Sequence, residues 1–171
     1  DKAWRIITLR YFNPIGAHES GLIGEKTLDK PENIIPLLNK VAAGKIRLFK
    51  VFGKDWDTID GTGVRDYIHV MDLAFAHLKA FEYIFNGPTN NVQLNIGTGK
   101  GTSIIELINT YKEVNGVDIP YIFVGRRDGD VPYSVADNTM AKSLLKWTPI
   151  RDLKLMCRDS WNWYIRDSNQ A

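Results

Sequence analysis

The sequence predicts an α/β or α+β fold, because strand-like and helix-like segments alternate along most of the chain. Residues 4–12 (WRIITLRYF) are apolar and β-branched, as in a buried strand. Residues 71–87 carry apolar side chains at helical spacing and close on a glycine. A content of 44% hydrophobic and 25% charged residues is ordinary for a globular protein, so we expect one domain with its own core.

Four further segments lie in the first 70 residues. A glycine-containing loop is expected at 13–30, and its length indicates a functional role. Residues 31–45 (PENIIPLLNKVAAGK) predict a helix that starts near a proline and ends at a glycine. Residues 47–53 predict a short strand, and after a polar loop residues 64–70 predict another extended stretch.

The second half of the chain continues the alternation. The same signals predict a strand at 92–97, a helix at 102–116, a strand at 119–125, and two helices at about 140–147 and 153–164. Ser103 and Glu106 have the spacing of a capping box, which fixes the start of the middle helix. We find no internal repeat.

Several classes of protein are excluded by composition. A formal charge of +2 without a basic run does not favour nucleic-acid binding. No window approaches the roughly 18 to 20 apolar residues that cross a bilayer, and the first residues lack the layout of a signal peptide, so we expect a cytoplasmic protein. The single cysteine, Cys157, forms no disulfide framework and is expected in the core.

Metal and nucleophilic sites are not predicted. His69 and His77 lie on either side of a strand-to-helix junction, His18 lies in a distant loop, and no cysteine or carboxylate has ligand spacing with them. No serine occupies a G-x-S-x-G nucleophile elbow.

The glycine loop NIGTGKGTS, residues 95–103, follows a strand and opens a helix, as phosphate-binding loops do. Its spacing fits neither the Walker pattern nor the dinucleotide fingerprint G-x-G-x-x-G. We therefore expect a turn that allows a close backbone approach, and a P-loop nucleoside triphosphatase is the disfavoured alternative.

Polar residues are concentrated in VRDYIHV, residues 64–70. In an extended chain Arg65, Tyr67 and His69 share one face, and Asp66 lies on the other. One interpretation is a surface ion pair of Arg65 with a neighbouring aspartate, which contributes little to stability. The other is an anion site, since a guanidinium offers a planar fork to a phosphate.

A second concentration is RRDGDVPYSVAD, residues 126–137. Alone it is equally typical of a solvated turn. Together with the first stretch, Arg65 and Arg127 are able to clamp a diphosphate while Asp130 accepts from sugar hydroxyls, each charge-assisted contact contributing roughly 1.5 to 3 kcal/mol. That combination suits a nucleotide sugar.

At LRYFNPIGAH (residues 9–18) and DGTGVRDYIHVMDLA (residues 60–74) the chain resembles the UDP-glucose 4-epimerase family of the extended short-chain dehydrogenase/reductase superfamily. The glycine loop, RRDGDVPYSVAD and the W-x-W at 161–163 resemble further pieces of that family in the same order. The resemblance covers essentially the whole chain but only the C-terminal half of such an enzyme. We therefore expect an N-terminal half that is absent from this chain.

The resemblance implies a fold and a cofactor. Such enzymes have an N-terminal Rossmann domain that holds NAD and a smaller domain that holds the UDP-sugar. The implied fold class is α/β, with residues 1–12 as a C-terminal strand of the Rossmann sheet and the rest as a small α/β substrate-binding domain. NAD is then bound mainly by the N-terminal half, and Phe12 is expected beside the nicotinamide.

The resemblance also implies contacts with the UDP-hexose. These are Asn13 at the diphosphate, Asn33 and Ile34 at the diphosphate and uridine, Lys50, Val51 and Phe52 beside the uracil, Arg65 and Arg127 on the phosphates, Tyr67 on the nucleotide, Ile104 on the uridine side, and Asp130 on the ribose. Ser134 falls beside the hexose, where its small side chain leaves room. We hypothesise that the intact enzyme also accepts N-acetylated UDP-hexoses.

Enzymes of this family oxidise the sugar at C4 with NAD, turn the 4-keto intermediate over and return the hydride to its other face, with the tyrosine of a Y-x-x-x-K motif as base. That motif is missing here, so we expect no catalytic residue in this chain and no epimerisation by it alone.

The complete enzyme is expected to be a homodimer with no membrane or nucleic-acid partner. The alternatives are a related dehydratase or decarboxylase, and a non-catalytic nucleotide-sugar-binding module.

Overall fold

The computed structural model of the chain describes residues 4–26, 33–86 and 91–170. Its strands are β1 Ile6–Tyr11, β2 Asn13–Ile15, β3 Phe49–Phe52, β4 Val64–Arg65, β5 Tyr67–His69, β6 Asn91–Ile96, β7 Thr102–Ser103, β8 Tyr121–Val124 and β9 Tyr133–Ser134. Its helices are α1 Ile34–Ala42, α2 Val70–Asn86, α3 Ile104–Asn115, α4 Thr139–Leu145 and α5 Leu153–Gln170. Strands and helices alternate, which confirms the α/β fold class.

The strands form small sheets that are mainly parallel. Strand β1 pairs with β6, β2 with β5 and β3 with β8, each in parallel. Strand β4 lies between antiparallel β7 and parallel β9. Parallel neighbours need long crossover connections, and the helices supply them.

Two apolar cores lie on either side of β5, since Tyr67 belongs to one and Ile68 to the other. One gathers buried side chains from α1, β3, α3 and α5: Leu38, Val51, Leu107, Ile108, Tyr111 and Cys157 are among them. The other gathers side chains from β6, α2, α4 and the residues that follow α4: Ala76, Leu94, Ile96, Ala141 and Trp147 are among them. Cys157 is fully buried, as predicted.

Local signals explain the helix ends. The hydroxyl of Ser103 accepts a hydrogen bond from the backbone N–H of Glu106 at 3.0 Å, so the predicted N-terminal cap of α3 is confirmed. Gly116 ends that helix in the left-handed conformation. Helix α1 begins at Ile34, and Pro36 lies in its first turn, where a missing N–H costs no intrahelical hydrogen bond. The start predicted for this helix, at residue 31, lies outside the described residues.

The predicted extended stretch 64–70 is extended through residue 69, since Val70 begins α2, and it is not one strand. It divides at Asp66, whose N–H donates to the carbonyl of Ser134 at 3.0 Å and whose carbonyl accepts from the N–H of Asn13 at 2.9 Å. Residues on the two sides of Asp66 therefore join different sheets. The stretch of Asn13–Ile15, which the sequence predicts as loop, is the partner strand of β5.

No helix in the described part of the chain is both long and apolar enough to cross a membrane.

Candidate functional site

A cleft of about 250 Å³ opens beside the core that contains β3 and α3. Most of the residues that the sequence analysis singles out lie around it: Asn13, Asn33, Ile34, Lys50, Val51, Phe52, Arg65, Tyr67, Ile104, Arg127 and Asp130. They come from six separate parts of the chain, so only the fold brings them together.

Backbone geometry places the cleft at the ends of several elements. Asn33 and Ile34 lie at the N-terminus of α1, and Ile104 is the first residue of α3. In β3 the side chains alternate, with Phe49 and Val51 buried and Lys50 exposed. Elements that meet at their ends leave backbone and side-chain donors facing a common space.

Two arginines meet at one carboxylate in this cleft. Nη2 of Arg65 lies 3.7 Å from Oδ1 of Asp130, and Nε of Arg127 lies 3.1 Å from Oδ2 of the same residue. The predicted convergence of Arg65 and Arg127 is therefore present. Both guanidinium groups retain further N–H donors, since each has five and the carboxylate uses only some of them.

Aromatic rings lie against the arginines. The guanidinium of Arg127 lies 4.5 Å from the centre of the Phe52 ring, and that of Arg126 lies 3.9 Å from the Trp56 ring. Arg126 is also paired with Asp55, at 2.9 Å between Nε and Oδ1. Hydrogen bonding by Arg126 holds the pKa of Asp55 below its ordinary value. The cleft thus combines the cationic Arg65 and Arg127 with the flat rings of Phe52 and Trp56, whereas Arg126 does not line it.

Tyr67 lines the cleft although only 3% of its surface is exposed. Burial raises its pKa well above the ordinary value, and the positive charge of Arg65 only partly opposes this. Its hydroxyl therefore keeps its proton at neutral pH. Tyr67 is followed four residues later by Met71 rather than by lysine, so it does not supply the base of a Y-x-x-x-K motif.

His69 does not share the surface of Arg65 and Tyr67. It is fully buried, and its Nε2 lies 3.3 Å from Oδ2 of Asp159. Tyr67 and His69 have the two-residue spacing of one strand face in β5, but His69 pairs with Asp159 of α5 and does not line the cleft, so the expectation of three polar side chains on one open surface is wrong for His69.

The glycine loop is a turn, not an open phosphate cradle. The buried carboxylate of Asp66 accepts from the backbone N–H of Thr98 at 2.8 Å, of Gly99 at 2.9 Å and of Ala136 at 3.1 Å. A Cβ on Gly97 would come within 2.6 Å of Asp66 and of Ala136, so glycine is required for this close approach. The amides that would hold a phosphate are already engaged by the protein's own carboxylate.

Two predicted site residues do not line the cleft. Phe12 follows β1, and its N–H donates to the carbonyl of Ile96 at 3.1 Å. Ser134 is the β9 partner of Arg65 in the parallel register, so it lies next to a cleft residue without facing the cleft itself. Their expected contacts with nicotinamide and hexose stay predictions.

Sequence reasoning missed four residues that line the cleft: Leu37, Phe49, Trp56 and Gly63. Leu37 lies one helical turn beyond Asn33, and Phe49 shares a strand face with Val51, so periodicity offered a signal for both. Trp56 lies in a polar loop, where the sequence has no helical or strand periodicity that would show which way its side chain points. The loop folds back because the N–H of Trp56 donates to the carbonyl of Gly61 at 3.0 Å.

Within the described residues, no three or more His, Cys, Asp or Glu side chains are arranged to hold a metal ion.

Comparisons with known proteins show the family to which the chain belongs. Residues 1–97 match the model of the NAD dependent epimerase/dehydratase family. The UDP-glucose 4-epimerase of Bacillus subtilis (strain 168) is 47% identical over 169 residues, which is 99% of this chain and 50% of that protein. The chain therefore spans about half the length of the curated relatives it matches.

Solved structures give the same result. The UDP-glucose 4-epimerase of Stenotrophomonas maltophila, with bound NAD and formylated UDP-arabinopyranose, superimposes with a TM-score of 0.94 at 47% identity, over 98% of this chain and 49% of that one. That of Bifidobacterium longum, in complex with NAD⁺ and UDP, has a TM-score of 0.92 at 42% identity, over 100% of this chain and 50% of that one. Because the family model matches more than half of the residues and the fold agrees, the chain belongs to the NAD dependent epimerase/dehydratase family.

Proposed function

We propose that this chain is the UDP-sugar-binding part of a UDP-glucose 4-epimerase, which interconverts UDP-glucose and UDP-galactose by transient oxidation at the sugar C4. One observation carries the proposal: Arg65 and Arg127, far apart in the sequence, meet at one point of the cleft. Guanidinium groups bind phosphate oxygens through parallel hydrogen bonds, so this pair suits a diphosphate.

The rest of the cleft supports a nucleotide on that diphosphate. Val51 and Phe52 in β3 and Ile104 at the start of α3 offer apolar surface beside the arginines. Flat apolar surfaces with a few polar groups are typical of small-molecule sites. We assign the uridine to this side of the cleft, Asn13 and Asn33 to the diphosphate, and Asp130 to the ribose hydroxyls.

We further infer that β1 and β6 belong to a larger parallel sheet, the Rossmann sheet of an NAD-binding domain. Among the described residues β1 pairs with β6 alone, and parallel sheets are generally covered on both faces. Helix α2 presents an exposed apolar row next to them, formed by Phe75, Leu78, Phe81 and Phe85. Exposed apolar patches of this kind mark contact surfaces.

Among the described residues, one glycine loop opens a helix, and its backbone N–H groups already donate to the carboxylate of Asp66. The described residues therefore do not fit a binding site for the phosphates of a dinucleotide. We assign to this chain a single NAD contact, Phe12 beside the nicotinamide, and no step of hydride transfer. The complete enzyme is proposed to be a cytoplasmic homodimer. We also propose that the complete enzyme accepts N-acetylated UDP-hexoses, because the small side chain of Ser134 leaves room beside the hexose. If full-length Ser134→Tyr kept the same ratio of turnover on UDP-N-acetylglucosamine and UDP-glucose, this part of the proposal would be wrong.

Two experiments test the proposal. Calorimetric titration of the 171-residue chain with UDP, UMP and uridine is expected to give affinities that decrease in that order, by about tenfold for each lost phosphate contact. Equal affinities for UDP and uridine would mean that the cleft has no diphosphate site.

Incubation of the chain with NAD and UDP-galactose is expected to give no UDP-glucose, and measurable turnover would show that the chain is more than a binding part.

A further inference from the structure

The carboxylate of Asp130 engages both arginines of the cleft. Besides the 3.1 Å contact from Nε of Arg127, its Oδ1 lies 3.5 Å from Nη2 of Arg127 and 3.7 Å from Nη2 of Arg65. An ionised carboxylate accepts hydrogen bonds but donates none. The protein's own anion thus occupies two N–H donors of Arg127 that a phosphate group would otherwise use, and it lies at ion-pair distance from Arg65.

The two arginines differ in what else holds them. Nη1 of Arg65 donates to the carbonyls of Val64 and Val131, both at 2.9 Å, so this guanidinium keeps its place without Asp130. Arg127 is more than half exposed, and apart from Asp130 it contacts the ring of Phe52. Removing the carboxylate therefore leaves Arg65 fixed by its backbone contacts, removes the ion pair of Arg65, and frees the Nε and Nη2 donors of Arg127.

We propose that Asp130 is an internal competitor of the diphosphate, through which the cleft selects a nucleoside diphosphate over inorganic pyrophosphate. The inference rests on the proposed function, since it takes UDP as the ligand. A diphosphate that reaches both guanidinium groups repels the carboxylate and must break its ion pairs. A displaced, partly buried carboxylate needs new donors.

Only one of the two ligands supplies those donors. The ribose of UDP carries two hydroxyl groups that donate to Asp130 once it has left the arginines, and pyrophosphate carries no equivalent group. UDP therefore recovers the cost of breaking the ion pairs, and pyrophosphate does not. Asp130 therefore gives the cleft its selectivity for UDP, and it does so by weakening the binding of an anion that has no ribose.

Asp130→Ala tests this, because alanine removes both the negative charge and the acceptor. We expect the Kd for inorganic pyrophosphate to fall about tenfold, the size of one charge-assisted contact, and the Kd for UDP to rise. Asp130→Asn keeps a neutral acceptor, so it is expected to tighten pyrophosphate equally while changing UDP less. Calorimetry at one fixed ionic strength gives all six constants.

Asp118→Ala is the matched control. It removes the same charge, from an exposed residue whose carboxylate pairs with Lys112 at 2.8 Å and which does not line the cleft. Both Kd values are expected to stay within about twofold of wild type, because exposed charges are screened by salt. Circular dichroism melting checks that each variant is folded.

The possible outcomes are distinct. If Asp130→Ala weakens pyrophosphate and UDP together, the carboxylate orders the arginines, and the inference is wrong. If both ligands bind more tightly by the same factor, only net charge matters, and the inference is also wrong. If the wild-type chain binds UDP no better than uridine, the proposed function itself fails.

Discussion

His69 and Asp159 form a buried pair that joins the end of β5 to α5, with 3.3 Å between Nε2 and Oδ2. Nδ1 of His69 accepts a hydrogen bond from the backbone N–H of Met71 at 3.0 Å. The ring proton therefore lies on Nε2, and the imidazole is neutral. Burial lowers the pKa of His69 below its ordinary value, although the neighbouring Asp159 acts in the opposite direction.

This pair predicts how stability depends on pH. Because the pKa of His69 is lower in the folded than in the unfolded chain, the unfolded chain takes up the proton first as the pH falls. The contribution of neutral His69 is complete above about pH 6.5 and is lost progressively below it. Urea unfolding at about pH 7.5 and about pH 5.5 measures this loss.

His69→Gln removes the titrating group, so we expect a smaller loss of unfolding free energy between the two pH values than in wild type. Asp159→Asn removes the carboxylate that favours the protonated ring, so its loss is expected to be larger. An identical pH dependence in wild type and both variants would show that another group is responsible.

Sequence patterns predicted the helices well because helix signals are local. The cap at Ser103, the stop at Gly116 and the apolar spacing of α2 all depend on residues within a few positions of each other. Strand partners are not local. Nothing near Asp66 in the sequence shows that its amide and carbonyl pair with Ser134 and Asn13.

The same difference explains the candidate site. Arg65 and Arg127 were predicted to converge because their residue types suit one ligand, and the fold does bring them to one carboxylate. Trp56 was missed because its place in the cleft depends on the fold of a loop closed by backbone hydrogen bonds. The geometry of such a loop depends on glycine conformations and tertiary contacts. Neither can be predicted from the spacing of apolar residues along the sequence.

Gly61 closes that loop, and its replacement tests the loop's importance. Its φ is +75°, and a Cβ would lie 2.3 Å from the carbonyl oxygen of Lys54, a backbone atom that cannot move away alone. We expect Gly61→Ala to lower the unfolding free energy by about 3 kcal/mol or more and to weaken UDP binding through Trp56.

Gly44→Ala is the matched control for Gly61→Ala. Gly44 also has a positive φ, +70°, but a Cβ there would meet nothing within 4 Å. Its cost is expected to be about 1 kcal/mol, from backbone conformation alone. Equal effects in the two variants would mean that the contact with Lys54 does not matter.

Asp66 is expected to be essential for stability. Asp66→Asn places an amide NH₂ group among donors that now face a carboxylate, including the N–H groups of Thr98, Gly99 and Ala136. The amide keeps one acceptor oxygen, so the donors that face its NH₂ group would lose their acceptor and meet another donor instead, and we expect a loss of about 3 kcal/mol or more in urea unfolding. Asp57→Asn, in an exposed loop position, should change stability by no more than about 0.5 kcal/mol. A similar loss in both variants would contradict the structural role of Asp66.

The neighbouring residues Arg126 and Arg127 separate the proposed binding role from general charge. Arg127 contacts Asp130 inside the cleft, whereas Arg126 is paired with Asp55 and stacked on Trp56. Arg127→Ala is expected to weaken UDP binding about 10- to 100-fold, since it removes a charge-assisted contact with the diphosphate. Arg126→Ala removes the same charge one residue away, together with the contacts to Asp55 and Trp56, but it leaves the diphosphate contact of Arg127 in place, so it should weaken UDP binding less than Arg127→Ala does. Calorimetric titration of both variants decides between the two roles, and equal weakening would mean that UDP senses net charge rather than Arg127 itself.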